Sequence, residues 1–215
     1  MSKSPWLKKY MKLEHLERTL QDKNLHLGNP DKDWPDRNDS KCINMYSSQK
    51  NQSFPILGTC LTEASDRFHF WHIFGEKEKG VCLWFRKDKL IEDVQGDASL
   101  IFGNVQYKTT KDLIGVKAHQ VPFIKRSQYE DEREFRILRI SPANKTPIDK
   151  FSFSPSSLER IYLNPWLSTE GYKSEASKIT RLLKNEINHV KLMQNRSLEK
   201  NEWLEAVAAV FKRDV

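Results

Sequence analysis

The stretch Ser127–Ile140, SQYEDEREFRILRI, decides the fold, because it joins a cluster of acids to an apolar strand. Side chains alternate between the two faces of a strand, so Glu130, Glu132, Glu134 and Arg136 are predicted to share one face. Carboxylates held that close repel each other, and folding must offset the repulsion with a cation, a hydrogen-bond network or a ligand. The spacing therefore indicates a candidate site.

The same acids also have a purely structural interpretation, in which nearby arginines neutralise them along an exposed edge strand. The arginines concerned are Arg133, Arg136 and Arg139. An edge position is disfavoured, because apolar residues fall on both faces of the stretch, as they do in an interior strand. These residues are Phe135, Ile137, Leu138 and Ile140. Charged residues in an interior strand are costly unless they are paired or functional. Spacing alone leaves both interpretations open, a functional site and a structural charge network.

The composition describes a single globular domain. At 215 residues, with 38% hydrophobic and 30% charged residues, the chain can bury a sizeable core and keep a wet surface. A formal net charge of +7 favours an anionic partner, such as nucleic acid or a phosphate-bearing cofactor. Many basic proteins simply have solvated surfaces, so the charge alone does not choose between these alternatives.

Three cysteines, Cys42, Cys60 and Cys82, form no CxxC pair, which argues against a disulfide framework and a zinc knuckle. A reducing cytoplasm is the predicted location. The sequence has no signal-like apolar segment at its N-terminus and no run of eighteen apolar residues, so no membrane span is predicted. His69 and His72 lie three residues apart, but a solvated histidine beside a core histidine is the favoured interpretation, and no metal is predicted.

Hydrophobic periodicity predicts a mixed α+β domain with a largely antiparallel sheet, flanking helices and a helical C-terminus. The predicted strands are Trp6–Tyr10, Asn24–Leu27, Phe54–Leu61, Gly80–Phe85, Ile101–Tyr107 and Leu158–Leu163. The predicted helices are Lys12–Asp22, Asp66–Phe74, Ser168–Asn185 and Asn201–Lys212, and Asn29–Ser40 is predicted as a loop. Residues 1–186 are assigned to the core domain and 187–215 to a C-terminal helical extension packed on or beside it.

Motifs of several common chemistries are absent from the sequence. It has no GxxxxGK[ST] loop, no GxGxxG, no HExxH and no GxSxG elbow.

The chain resembles an uncharacterised family of small bacterial proteins met in defence-associated and mobile gene clusters. That family begins with Leu-Tyr-Lys-Tyr-Arg and continues with Met-Trp-x-x-Tyr, Lys-Gly-Val-Cys-Leu and Trp-x-x-Glu-x-Glu-x-Arg. Here LKKYMKLEHL of Leu7–Leu16 resembles the opening, with Met11 in place of the arginine. FWHIFGEKEKGVCLWF of Phe70–Phe85 resembles the middle, and YEDEREFR of Tyr129–Arg136 supplies the acids.

A weaker resemblance is to ADP-ribosyltransferases, in which a strand–helix opening is followed late in the sheet by Glu-x-Glu. This resemblance implies NAD as the cofactor and Glu134 as the essential glutamate, which stabilises an oxocarbenium-like transition state. It further implies Glu132 as the acid facing the acceptor, Lys9 and Tyr10 as cofactor contacts, and Trp71 as a stacking wall. A site of this kind requires the opening strand to lie next to the acidic strand.

Three classes of function remain open. The first is an ADP-ribosyltransferase-like protein of bacterial defence, or a toxin, with nucleic acid as a candidate acceptor. The second is a nucleic-acid-binding or nuclease-like defence component, and the third is an interaction module without catalysis. A partner protein of a defence system is a further candidate partner, and the sequence does not determine the oligomeric state.

Overall fold

The computed structural model describes residues 4–48, 55–142, 146–183, 187–198 and 201–212. Within these ranges the strands are Trp6–Lys12 (β1), Asn24–His26 (β2), Ile56–Thr62 (β3), Gly80–Arg86 (β4), Leu100–Asn104 (β5), Gln106–Lys108 (β6), Ile124–Arg126 (β7), Glu134–Ile140 (β8), Lys150–Ser152 (β9), Leu158–Leu163 (β10) and Lys191–Gln194 (β11). The helices are Leu16–Asp22 (α1), Pro30–Asp33 (α2), Arg37–Ser47 (α3), Phe68–Phe74 (α4), Lys87–Gln95 (α5), Thr169–Leu182 (α6) and Asn201–Phe211 (α7).

Seven of these strands form one sheet in the order β11-β10-β4-β1-β3-β8-β5. Every neighbouring pair is antiparallel except β10 and β11, which run parallel. The predicted α+β class with a largely antiparallel sheet is therefore confirmed. Strand β8 lies between β3 and β5, so the acidic stretch ends in an interior strand and the edge interpretation is wrong.

The two faces of the sheet are covered differently. One face carries the main apolar core, in which α1, α5 and α6 pack against residues such as Leu83 and Ile137. The opposite face carries two smaller clusters, one around Trp71 under α4 and one around Ile43 under α3. The stretch of sheet between these two small clusters holds charged side chains instead of apolar ones, and the candidate site lies there.

Two predicted segments contain different elements in the structure. The predicted loop Asn29–Ser40 contains α2 and the start of α3, because Asn29 and Asp36 each accept a backbone N–H and cap a helix. The predicted strand Ile101–Tyr107 is two strands, since β5 ends at Asn104 and β6 pairs with β7 in a separate sheet.

The predicted C-terminal extension begins with a strand, because β11 pairs with β10 and extends the main sheet. The helix α7 follows, and its large apolar side chains, including Trp203 and Phe211, are exposed. The predicted boundary after residue 186 falls on residues 184–186, outside the described ranges, and the division into core and extension stays a prediction. No helix within the described ranges is long and apolar enough to cross a bilayer.

Candidate active site

Strand β8 begins later than the sequence pattern predicts. Ser127–Glu132 forms a 3-10 helix, and Arg133 follows with a left-handed backbone at φ 43°. This turn rotates the chain before Glu134 enters the sheet, so Glu132 and Glu134 do not share a strand face. The predicted Glu-x-Glu pair on one strand is therefore wrong.

Lys125, the middle residue of β7, nevertheless brings the two acids together. Its Nζ donates to Glu132 Oε2 at 2.5 Å and to Glu134 Oε2 at 3.0 Å. The ammonium also lies 4.9 Å from the ring centroid of Tyr129. A lysine thus supplies the cation that neighbouring carboxylates need when they are buried.

Arg136 anchors the other side of Glu134. The Arg136 side chain is wholly buried, and its Nε donates to Glu134 Oε1 at 2.6 Å. Its two terminal nitrogens donate to the Pro122 carbonyl at 2.9 Å and to Asp39 Oδ2. The guanidinium also stacks on the Trp34 ring, 4.9 Å from its centroid. These contacts tie β8 to α3 through a buried charge network.

The network separates the pKa values of its carboxyls. Burial alone would raise the pKa of Glu134, but Arg136 and Lys125 lower it to about 2. The pKa values of Glu132 and Asp39 are raised, chiefly by burial, although Lys125 and Arg136 oppose this. Two neighbouring acids, Glu134 and Glu132, thus have pKa values shifted in opposite directions, which is a feature of acid–base sites.

Lys9 and Glu134 do not lie on adjacent strands. Strand β3 separates β1 from β8, so the expectation that these two strands are neighbours is wrong, and their backbones lie about 10 Å apart. The Lys9 Nζ donates to the Cys60 carbonyl at 3.2 Å. Burial lowers the pKa of Lys9, and the charge of Glu134 opposes that lowering. Lys9 is paired with Leu83 of the main core, so its side chain leaves β1 on the face opposite to that of Lys8 and Glu134.

Tyr10 and Trp71 are core residues, only 5% and 0% exposed, on the face covered by α4. Their ring centroids lie 5.1 Å apart in an edge-to-face arrangement. The Tyr10 hydroxyl and the Trp71 indole nitrogen both donate to Asp66 Oδ1, at 2.8 and 2.9 Å. A buried ring stacks on a ligand only after local opening, so the structure favours packing for both, and their cofactor contact stays a prediction.

We expect Trp71→Phe to lower the free energy of unfolding by about 1–3 kcal/mol, because it removes buried volume and the bond to Asp66. Chemical denaturation followed by circular dichroism measures the change. The exposed Trp203 supplies the control, since Trp203→Phe should alter stability by no more than about 0.5 kcal/mol. Unchanged stability in Trp71→Phe together with loss of NAD binding would show that this ring lines a cleft.

A single row of paired residues, hereafter the polar row, crosses the sheet on this face. Its members are Lys191, Arg160, Trp84, Lys8, Thr62 and Glu134, each opposite the next on adjacent strands. Residues directly opposite each other project to the same face, so the row is continuous. Glu134 and Lys8 at one end are 4% and 5% exposed, whereas Lys191 at the other end is exposed.

The segment after β3 closes over the buried end of the polar row. Lys8 Nζ donates to the Ala64 carbonyl, and the Ala64 N–H donates to Thr62 Oγ1 at 2.9 Å. The Thr62 hydroxyl in turn donates to the Glu132 carbonyl, which fixes the end of the 3-10 turn. These three bonds hold the segment after β3 over Lys8 and Thr62.

Sequence reasoning missed two members of the network, Asp39 and Lys125. Asp39 is 97 residues from Arg136 in the chain and lies in a segment predicted as a loop. The N-cap pattern that starts at Asp36 was the one signal for a helix there. No group of three or more potential metal-ligating side chains comes together within the described residues.

No known family profile matches this chain, and no curated protein matches its sequence. Among solved structures it is similar to Thermus sp. 2.9 DarT in complex with NAD+, with a TM-score of 0.47 and 8% identity over 93% of this chain and 99% of that chain. It is also similar to Thermus sp. 2.9 DarT in complex with ADP-ribosylated ssDNA, with a TM-score of 0.43 and 9% identity over 93% and 100% of the two chains. Thermosipho africanus DarTG in complex with ADP-ribose matches at a TM-score of 0.40 and 11% identity, over 89% of this chain and 50% of that chain. With TM-scores below 0.5, these likenesses carry no argument about the activity of this chain.

Proposed function

We propose that this protein is an NAD-dependent ADP-ribosyltransferase of bacterial defence, or a toxin, with nucleic acid as the acceptor. One observation carries the proposal. Glu134 and Glu132 are bridged by Lys125, and their pKa values are shifted in opposite directions. Transfer of a glycosidic bond uses one carboxylate that stays ionised and a second carboxyl group whose raised pKa lets it exchange a proton.

The two acids would have different roles in the transfer. The bond between nicotinamide and the ribose C1′ breaks, and its electron pair leaves with nicotinamide. The ionised Glu134 stabilises the positive charge that develops on the ribose in the transition state. The acceptor attacks C1′ with an N–H or O–H group, and Glu132 takes the released proton. The products are nicotinamide, the ADP-ribosylated acceptor and one proton.

The residues around Glu134 fit the charge requirement of the donor, but access requires movement. Glu134 is only 4% exposed, because the Ser127–Glu132 turn and Lys125 cover it. That turn is held on its outer side by His69 and Asp131, whose side chains lie 3.2 Å apart. The proposal therefore includes an opening of the turn about Arg133, which exposes both acids to the donor.

A nucleic-acid-binding defence component without catalysis is the second candidate. The observation that favours it is that both oxygens of the Glu134 carboxylate already accept hydrogen bonds, from Arg136 and Lys125. In that case the acids form a structural charge network, and the basic surface carries the function. Binding to nucleic acid that falls steeply with salt is then the expected activity.

The test of the first candidate is direct. We expect the purified protein, incubated with NAD and a mixture of DNA, RNA and protein acceptors, to add the mass of one ADP-ribose to a nucleic acid. Mass spectrometry of each acceptor and release of nicotinamide measure the reaction. If the protein neither transfers ADP-ribose nor consumes NAD under any of these conditions, the enzyme proposal loses its support and the second candidate remains.

A further inference from the structure

The open end of the polar row carries three aromatic rings on one surface. The centroids of Trp6 and Trp84 lie 6.1 Å apart, and those of Trp84 and Tyr162 lie 5.0 Å apart. The rings are tilted by 47° and 44°, and all three side chains are partly exposed. We call this group, with Arg160, the aromatic platform. Rings left partly open to solvent on a sheet surface can stack against a planar ligand.

Arg160 is the cation at the centre of the aromatic platform. Its guanidinium carbon lies 5.0 Å from the Trp6 centroid and 5.7 Å from the Trp84 centroid. A bulge in β10 between Leu158 and Arg160 places Arg160 opposite Trp84. Within the described residues the guanidinium forms no hydrogen bond or ion pair, and its buried Nε has no partner. A guanidinium presents a planar set of donors that matches a carboxylate or phosphate, and those of Arg160 are not used within the described residues.

Other cations surround the platform. Lys8 Nζ lies 4.5 Å from the Trp84 centroid, Arg86 is paired with Trp6 across the β1–β4 ladder, and Lys191 is paired with Arg160. The side chains of paired residues point to the same face, so Arg86 and Lys191 flank the rings on both sides. Arg86 also lies 3.5 Å from Asp88, which offsets part of its charge, and Lys191 adds an exposed cation. A shallow, open cleft adjoins Trp6 and Arg86.

We propose that the aromatic platform binds single-stranded nucleic acid, with unpaired bases stacked on Trp6, Trp84 and Tyr162 and phosphates held by Arg160 and the flanking cations. Tilted rings within a pleated sheet face reach bases only when these are unstacked from a duplex, which selects single strands. This binding does not depend on the catalytic role of Glu134. If Glu134 is catalytic, the platform holds the acceptor about 14 Å away, which is three strand spacings.

The test measures binding of a fluorescein-labelled single-stranded oligonucleotide by anisotropy. We expect wild type to bind the single strand at least about tenfold more tightly than the matching duplex, with affinity falling as salt is raised. Trp6→Ala should weaken binding about tenfold or more, because one stacking ring is lost. Arg160→Ala should weaken binding and flatten the salt dependence, and this variant breaks no hydrogen bond within the described residues.

Two matched controls lie away from the platform. Trp203 on α7 and Arg18 on α1 are exposed, and neither Trp203→Ala nor Arg18→Ala should change the affinity by more than about twofold. Thermal melts confirm that each variant is folded at the temperature of the assay. Equal affinity of Trp6→Ala, Arg160→Ala and wild type would overturn the proposal, as would equal loss in the two controls.

Two further measurements separate this proposal from others. If NAD displaces the oligonucleotide competitively and the platform variants lose NAD binding, the rings are the base site of the dinucleotide, and the nucleic-acid proposal is overturned. Glu134→Gln is expected to bind the oligonucleotide like wild type. If wild type binds the oligonucleotide but transfers no ADP-ribose, only the transferase proposal is contradicted. If wild type transfers ADP-ribose but the platform variants bind the oligonucleotide as tightly as wild type, only the platform proposal is contradicted.

Discussion

Glu134→Gln is expected to lose transfer activity by a factor of about one hundred or more while the protein remains folded. The amide keeps the volume of the side chain but removes the negative charge that stabilises an oxocarbenium-like transition state. The rate of ADP-ribosyl transfer to nucleic acid, followed by mass spectrometry, measures the loss. A variant that transfers ADP-ribose at the wild-type rate would rule out the catalytic assignment of Glu134.

The structure shows that the same change also affects stability. Arg136 and Lys125 lower the pKa of Glu134 from 4.5 to about 2, which corresponds to about 3 kcal/mol of stabilisation at neutral pH. Because this pKa is lowered by folding, the contribution is present above the unfolded pKa and is lost as pH falls through the folded pKa. The difference in unfolding free energy between wild type and Glu134→Gln should therefore shrink as pH falls from 4.5 towards 2.

Asp39→Asn is the matched control for this experiment. Asp39 is buried, contacts the same guanidinium as Glu134, and undergoes the same change from carboxylate to amide. It has no proposed role in transfer. We expect Asp39→Asn to retain transfer, measured under conditions where both variants are fully folded. Equal loss of transfer in the two variants would mean that the charge network acts only by holding the fold.

Arg136→Met is expected to lower the free energy of unfolding by about 3–5 kcal/mol. Arg136 is wholly buried, and its removal takes a donor from Asp39 and the Pro122 carbonyl and leaves Glu134 with the bond from Lys125. Methionine fills part of the volume but donates no hydrogen bond, so two buried carboxylates lose their shared counter-charge. Urea denaturation followed by circular dichroism measures the change.

Arg126→Met is the control for the loss of an arginine, because Arg126 is 47% exposed in its ion pair with Asp36. An exposed pair of this kind contributes no more than about 1 kcal/mol. In Arg136→Met, only Lys125 of the two cations beside Glu134 is left to oppose the raising of the Glu134 pKa by burial, so protonation should recover part of the lost stability at acidic pH. A loss no larger than that of Arg126→Met would show that the buried network is not a stabilising element of the fold.

The sequence by itself determined the main elements of the fold. The apolar run GVCLWF predicted β4, and LERIYL predicted β10 with both of its ends. Apolar residues on both faces of Phe135–Ile140 predicted that β8 is an interior strand, which its position between β3 and β5 confirms. These features follow from local patterns. A strand buried on one face has alternating apolar and polar residues, and a strand buried on both faces has a continuous apolar run, so both are visible in the sequence.

Only the tertiary structure decided how the charges are paired. The left-handed turn at Arg133 removes Glu132 from the strand, and Lys125 then rejoins it to Glu134 across the turn. Asp39 reaches Arg136 from a helix 97 residues away, and the polar row joins six strands through their registers. Local spacing fixes which face a side chain takes, but its partners depend on sheet order and register, which arise when distant segments pack together.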